Sequence, residues 1–78
     1  MYEVYFENSF GQRRLIGTAD TREGANKRIM SFLDAYGYHS YYVRSWETAD
    51  GETCVDVGSW SEFFYIKYIP EEERRNYA

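Results

Sequence analysis

At 78 residues and a formal net charge of −4, the chain can form one small domain around one core. A single Cys excludes an internal disulfide, and one His beside it falls short of a zinc-type ligand set. Basic and acidic groups balance over residues 1–37, so the acidity lies in residues 38–78, which excludes a general basic stripe for duplex nucleic acid and leaves an acidic surface for a basic partner.

The first residues, Met1-Tyr2-Glu3-Val4, run straight into a strand pattern without the basic and apolar regions of a secretory leader. No apolar run approaches the length of a membrane span, so a cytoplasmic protein without membrane contact is expected. Tyr2, Val4 and Phe6 alternate with Glu3, Tyr5 and Glu7, the pattern of a half-buried strand. Asn8-Ser9-Phe10-Gly11 supplies turn chemistry, and residues 12–19 form the second strand of a hairpin. Asp20 then reads as a helix N-cap, with Glu23 three residues on as in a capping box. Ala25, Ile29, Phe32, Leu33 and Tyr36 make one apolar stripe, while Arg22, Asn26, Lys27, Ser31 and Asp34 face away from it. Gly24 weakens the first turn by roughly 1 kcal/mol against Ala, and Gly37 ends the helix.

Residues 38–46 form the third strand, residues 47–52 a loop turning at Asp50-Gly51, and residues 53–57 the fourth strand. The fifth strand spans residues 62–69. From Phe63 to Ile69 only Lys67 is charged, so this strand is apolar on both sides and suits the middle of a sheet or another chain. Pro70 ends it, which leaves a domain over residues 1–69 and a charged tail over 70–78. The expected fold is α+β, a two-layer ββαβββ arrangement with one helix packed on one face of an antiparallel sheet. The rings, nine Tyr, five Phe and two Trp, give such a small core much of its area.

Strand register decides which side chains remain available, because a slip of one residue exchanges the faces. A four-residue loop between the third and fourth strands would put Val43 on the opposite face from Val55 and Val57. A five-residue loop instead pairs Arg44 with Asp56 and Trp46 with Cys54, and gathers Tyr41, Val43, Val55 and Val57 under the helix. It also adds an opposite-charge cross-strand pair worth roughly 0.2–1 kcal/mol. In that register Val4, Phe6, Phe64 and Ile66 share the helix-covered face. Tyr5, Tyr42, Arg44, Trp46, Asp56, Tyr65 and Lys67 share the other, the ring-and-Arg mixture in which contact surfaces are enriched. Aromatics on an open sheet face also stabilise strands by cross-strand pairing, so scaffold and contact surface both fit this pattern.

Catalytic arrangements find little support. His39 and Cys54 fall far apart on opposite faces, which disfavours a dyad. Glu62 and Asp56 could approach across the turn at residues 58–61, but nothing in the pattern marks them as an acid–base pair. No phosphate-binding loop occurs, and Gly58-Ser59-Trp60-Ser61 joins two strands where a nucleophile elbow joins strand to helix. Trp60 in that turn either folds over the sheet edge as a lid or projects as an anchor.

Tyr2-Glu3-Val4-Tyr5-Phe6, Arg14-Leu15-Ile16-Gly17-Thr18-Ala19 and Asp56-Val57-Gly58-Ser59-Trp60-Ser61-Glu62-Phe63-Phe64 resemble short open reading frames of phages and mobile elements of Gram-positive bacteria. The resemblance spans most of residues 1–69 and carries no catalytic motif. It implies an accessory protein in the host cytoplasm that acts on host defence by binding, either blocking a defence nuclease or sequestering a nucleotide signal. The chain departs from a DNA mimic, since Arg44 and Lys67 interrupt its carboxylates.

The reading from sequence is thus a small binding protein that inhibits or modulates a host protein by surface occupancy, with no catalysis, cofactor or metal. Its contacts are Tyr5, Tyr42, Arg44, Trp46, Asp56, Tyr65 and Lys67, with Trp60 at their edge. Two alternatives use the same rings. One is a nucleotide sponge in which Arg44 or the Arg13-Arg14 pair holds phosphate. The other is a homodimer that turns this face on itself.

Overall fold

The computed structural model describes residues 1–37, 43–58 and 61–70; the expectations for His39, Tyr41, Tyr42, Trp60 and the tail beyond Pro70 lie outside the described residues. Five strands and a helix follow in the order β1 (Tyr2–Glu7), β2 (Arg13–Ala19), α1 (Arg22–Ala35), β3 (Arg44–Glu47), β4 (Thr53–Asp56) and β5 (Phe63–Tyr68). All pairings are antiparallel and the sheet order is β2-β1-β5-β4-β3, so the fold is the expected two-layer α+β arrangement. The strand that is apolar on both sides, β5, takes the centre, where β1 and β4 satisfy its backbone on either edge.

Local chemistry sets the element ends. Asn8 closes the first turn: its side-chain Oδ1 accepts from the N–H groups of Phe10 (2.9 Å) and Gln12 (3.0 Å). The Gln12 carbonyl accepts from Asn8 N–H, so Gln12 belongs to the turn and β2 begins at Arg13. The helix cap is Thr21 rather than Asp20. Thr21 is extended (φ −126°) and its hydroxyl accepts from the Gly24 N–H at 3.0 Å. Gly24 therefore occupies the third helical position that Glu23 was expected to hold. A Cβ there would lie 3.1 Å from Ala19 Cβ and 3.2 Å from Thr21 Oγ1, so the glycine lets the first turn sit against the end of β2. At the other end Gly37 takes φ 71° and donates to the Asp34 carbonyl, as a C′ glycine does.

Between β3 and β4 the loop has five residues, with Thr48 N–H on the Glu52 carbonyl at 2.8 Å and Gly51 at φ 79°. Arg44 pairs with Asp56 and Trp46 with Cys54, the register that the burial pattern selects. Glu47 belongs to β3 and not to the loop, because it pairs with Thr53. Val57 falls just beyond β4, where the Asp56 carboxylate accepts from Gly58 N–H and turns the chain. The ends of the fifth strand, Glu62 and Ile69, also lie outside β5, although Ile69 N–H still bonds the Met1 carbonyl at 2.7 Å. A bulge between Val4 and Tyr5 inserts Ile16 into β2, and Ile16 packs on the core side.

The core gathers Val4, Val55, Val57, Phe64 and Ile66 of the sheet layer with Ala25, Ile29 and Leu33 of α1. Burying each of the larger side chains contributes roughly 1.5–3 kcal/mol. Phe6, Phe32 and Phe64 meet with ring centroids 4.9–5.4 Å apart and fill one end of it. Among the described residues of the expected apolar set, Phe6 and Phe32 are half-buried and two are exposed. Tyr36 stacks on Phe32 from the outside, and Val43, on the helix side as expected, is 55% exposed because α1 lies over β1 and β2.

Thr21→Ala is expected to cost about 1 kcal/mol in urea unfolding followed by circular dichroism, as loss of a helix cap does. Asp20→Ala should stay within about 0.5 kcal/mol of the parent. Gly24→Ala should fail to return the roughly 1 kcal/mol that helix propensity alone would give, since its Cβ would press on Ala19.

Candidate functional site

The face turned away from α1 carries a row of side chains across all five strands. Leu15 pairs with Tyr5, Tyr5 with Tyr65, Tyr65 with Cys54, and Cys54 with Trp46. Of the residues read from sequence as contacts, Tyr5, Arg44, Trp46, Asp56, Tyr65 and Lys67 share this face; Tyr42 and Trp60 lie outside the described residues. The six do not play one part.

At the centre the rings are tied down. Tyr5 donates to Glu3 Oε1 at 2.7 Å, and Tyr65 donates to Glu7 Oε2 at 2.9 Å. Arg13 reaches over from edge strand β2, lays its guanidinium 3.8 Å from the Tyr65 ring centroid, and donates twice to Glu52 at 3.0 and 2.9 Å. Glu3 and Cys54 are buried, and Tyr5 and Tyr65 half-buried. Burial first, and then the hydrogen bond to Glu7, push the Tyr65 phenol up to about 12. Burial likewise pushes the Cys54 thiol up, which keeps it from forming a thiolate at neutral pH.

Toward β3 the face opens. Asp56 is buried, accepts from Gly58 N–H at 2.9 Å and from Arg44 Nη2 at 2.9 Å, and these two bonds hold its carboxyl below the usual carboxylate range. Arg44 is itself exposed, so a buried carboxylate fixes an outward guanidinium. Trp46, two residues on, is 46% exposed, and every residue of β3 is exposed. Lys67 stands exposed on β5 opposite Glu3.

Arg13 and Glu52 were not legible as partners, being 39 residues apart and joined across the sheet face. The alternation of Glu3, Tyr5 and Glu7 along β1 did place two acceptors beside the rings, and that is the signal which could have shown the tyrosines as hydrogen-bonded scaffold. The proposed phosphate ligands do not converge. Arg13 and Arg14 sit on one sheet edge and Arg44 on the other, with Arg14 against Tyr36 and Phe32 on the helix side. Among the described residues no three of His, Cys, Asp and Glu are grouped to hold a metal ion, and no helix is long and apolar enough to cross a membrane. No protein-family model, curated protein or solved structure matches the chain.

Two of the shifted groups, Asp56 and Tyr65, make stability depend on pH at opposite ends of the range. Asp56, lowered in the fold, contributes stability that is present above about pH 3.9 and lost as pH falls through its lower folded value. Tyr65, raised in the fold, contributes stability that is present below about pH 10 and lost as pH rises through about 12. Spectrophotometric titration of the phenols should show one late-ionising tyrosine that Tyr65→Phe removes. Asp56→Asn should flatten the acid limb of stability in urea unfolding between about pH 2 and 5.

Proposed function

We propose that the chain acts by binding, and that it masks the surface of a host protein with its β3 edge as the principal contact. The observation that carries this reading is the composition and exposure of β3, where Trp46 projects beside an Arg44 guanidinium oriented by a buried Asp56. Trp and Arg are the residues in which binding hot spots are enriched, and a side chain already held in place loses less entropy on association. Lys67 extends the contact along β5, while Tyr5 and Tyr65 support it from beneath as hydrogen-bonded scaffold. The resemblance to phage and mobile-element accessory proteins supplies the context: a host defence protein as target, inhibited by occupancy without chemistry.

Trp46 is the clean probe of this reading. Arg44→Ala would leave the buried Asp56 carboxylate without its cation and so lower stability together with any binding. Trp46→Ala removes an exposed ring and should leave the melting temperature within about 2 °C of the parent. A host protein captured by the tagged parent, then purified and titrated against both forms, should bind Trp46→Ala at least about tenfold more weakly. Equal affinity of the two forms would exclude β3 as the contact. Light scattering on the parent alone reports whether the chain instead pairs with a second copy.

A further inference from the structure

On the opposite side of β3 from Trp46, a groove of about 310 Å³ runs between α1 and the β3–β4 pair. Among the described residues α1 lies over β1 and β2, and nothing covers the β4 side of the helix layer. Ile29 and Val55, both buried in the core, line it, and Met30 (47% exposed) and Val43 (55% exposed) bound it. One part of the lining is polar, with Arg22 and Asn26 on the helix facing Ser45 and Thr53 on the strands.

Among the described residues, Arg22 is the single charged residue of this lining. Its Nη2 donates to Thr53 Oγ1 at 2.6 Å, and that buried hydroxyl in turn donates to Glu47 Oε1 at 3.0 Å, so the guanidinium is held in place by a fixed relay. No carboxylate among the described residues lies within ion-pair distance of Arg22, in a chain whose net charge is −4. A guanidinium offers five donors in a planar fork, and this one has most of them still to place. An apolar trough with one oriented cation is complementary to a molecule with an apolar body and one anionic head. The volume, at the low end of the roughly 300–1,000 Å³ typical of ligand pockets, limits that body to a single ring or a short chain.

We propose that the groove between α1 and β3–β4 is a binding site for a small organic anion, with its carboxylate or phosphate head on Arg22 and its apolar body on Ile29, Met30, Val43 and Val55. The site is separate from the Trp46 contact. Residues alternate along β3, so Ser45, with Val43 just before the strand, lines the groove and Glu47 stands on the same side, bonded to Thr53, while Arg44 and Trp46 belong to the far face.

Titration of the methyl-labelled protein with phenyl phosphate, benzoate, benzyl alcohol and inorganic phosphate tests the assignment by NMR. Saturable shifts at the methyls of Met30, Val43 and Val55 are expected with phenyl phosphate, benzoate or both, and the pair shows which head group the fork prefers. Benzyl alcohol, without the charge, and inorganic phosphate, without the apolar body, should each bind at least about tenfold more weakly, the worth of one charge-assisted hydrogen bond or a buried apolar group. Arg22→Gln should weaken the anions by about tenfold or more. Met30→Glu, at an exposed position, should do the same by repulsion. Arg28→Gln is the control for bulk charge, since Arg28 turns to the Thr18 carbonyl on the β2 side of the helix, and it should leave affinity unchanged. The proposal is overturned if neither aromatic anion saturates below about 10 mM, if the shifts fall around Arg13 and Arg14, or if Arg22→Gln binds like the parent. Concentration-dependent shifts without any ligand would mark the groove as a contact between copies of the chain, which also overturns it.

Discussion

Everything in this domain depends on β5 entering between β1 and β4. Its two edges join a hairpin from the start of the chain to a meander from its end, with Tyr2 beside Tyr68 and Val55 beside Phe64. The driving force is burial. Phe64 and Ile66 on β5 meet Val4 on one side and Val55 on the other, and together they form the floor on which Ile29 and Leu33 of the helix rest. Without that insertion neither half has a sheet wide enough to cover the helix stripe, and a lone hairpin is marginal in water. Such long-range pairing costs loop-closure entropy before any burial is gained, which favours a central strand that is apolar on both faces.

The face away from the helix is held by another kind of force. Its centre is closed by pairs in which each ring or cation has a named acceptor: Tyr5 on Glu3, Tyr65 on Glu7, Arg13 on Glu52. A second helix is absent from this side among the described residues, and the arch of Arg13 over Tyr65 takes part of its place. Half-buried charge pairs are strengthened by the reduced dielectric around them, and they need every partner present, because a carboxylate left alone there is costly. The aromatic face is therefore a structural layer in the middle and, among the described residues, an open surface toward β3 and at Leu15 on the other edge.

That strand is the least enclosed element of the sheet and divides its side chains between two surfaces. Arg44 and Trp46 face outward on the far side, while Ser45, together with Val43 just before the strand, borders the groove beside α1. The groove arises from the off-centre position of the helix. A helix centred on β5 would cover Val43 and fill the groove, and β3 would then keep one free side instead of two.

Alternation and turn chemistry, read along the chain, already determined the order of elements, the antiparallel α+β class and the pairing of Arg44 with Asp56 and Trp46 with Cys54. These are local or parity properties: a period of two in a strand, 3.6 in a helix, and one loop length that keeps Val55 on the core side. For β5 the same reading left the middle of the sheet and another chain as alternatives, and the structure puts it in the middle. The cap was misplaced by one residue because Asp20 and Thr21 are both good cap residues, and only the hydroxyl bond to Gly24 separates them. Tertiary structure alone decided the rest: the strand order, the bulge at Ile16, the reach of Arg13 to Glu52, and the meeting of Arg22 with Thr53 from elements 31 residues apart. The physical reason is common to all of these. Each depends on where separate elements lie relative to one another, which packing of the whole core sets, and no periodicity within a single segment carries that information.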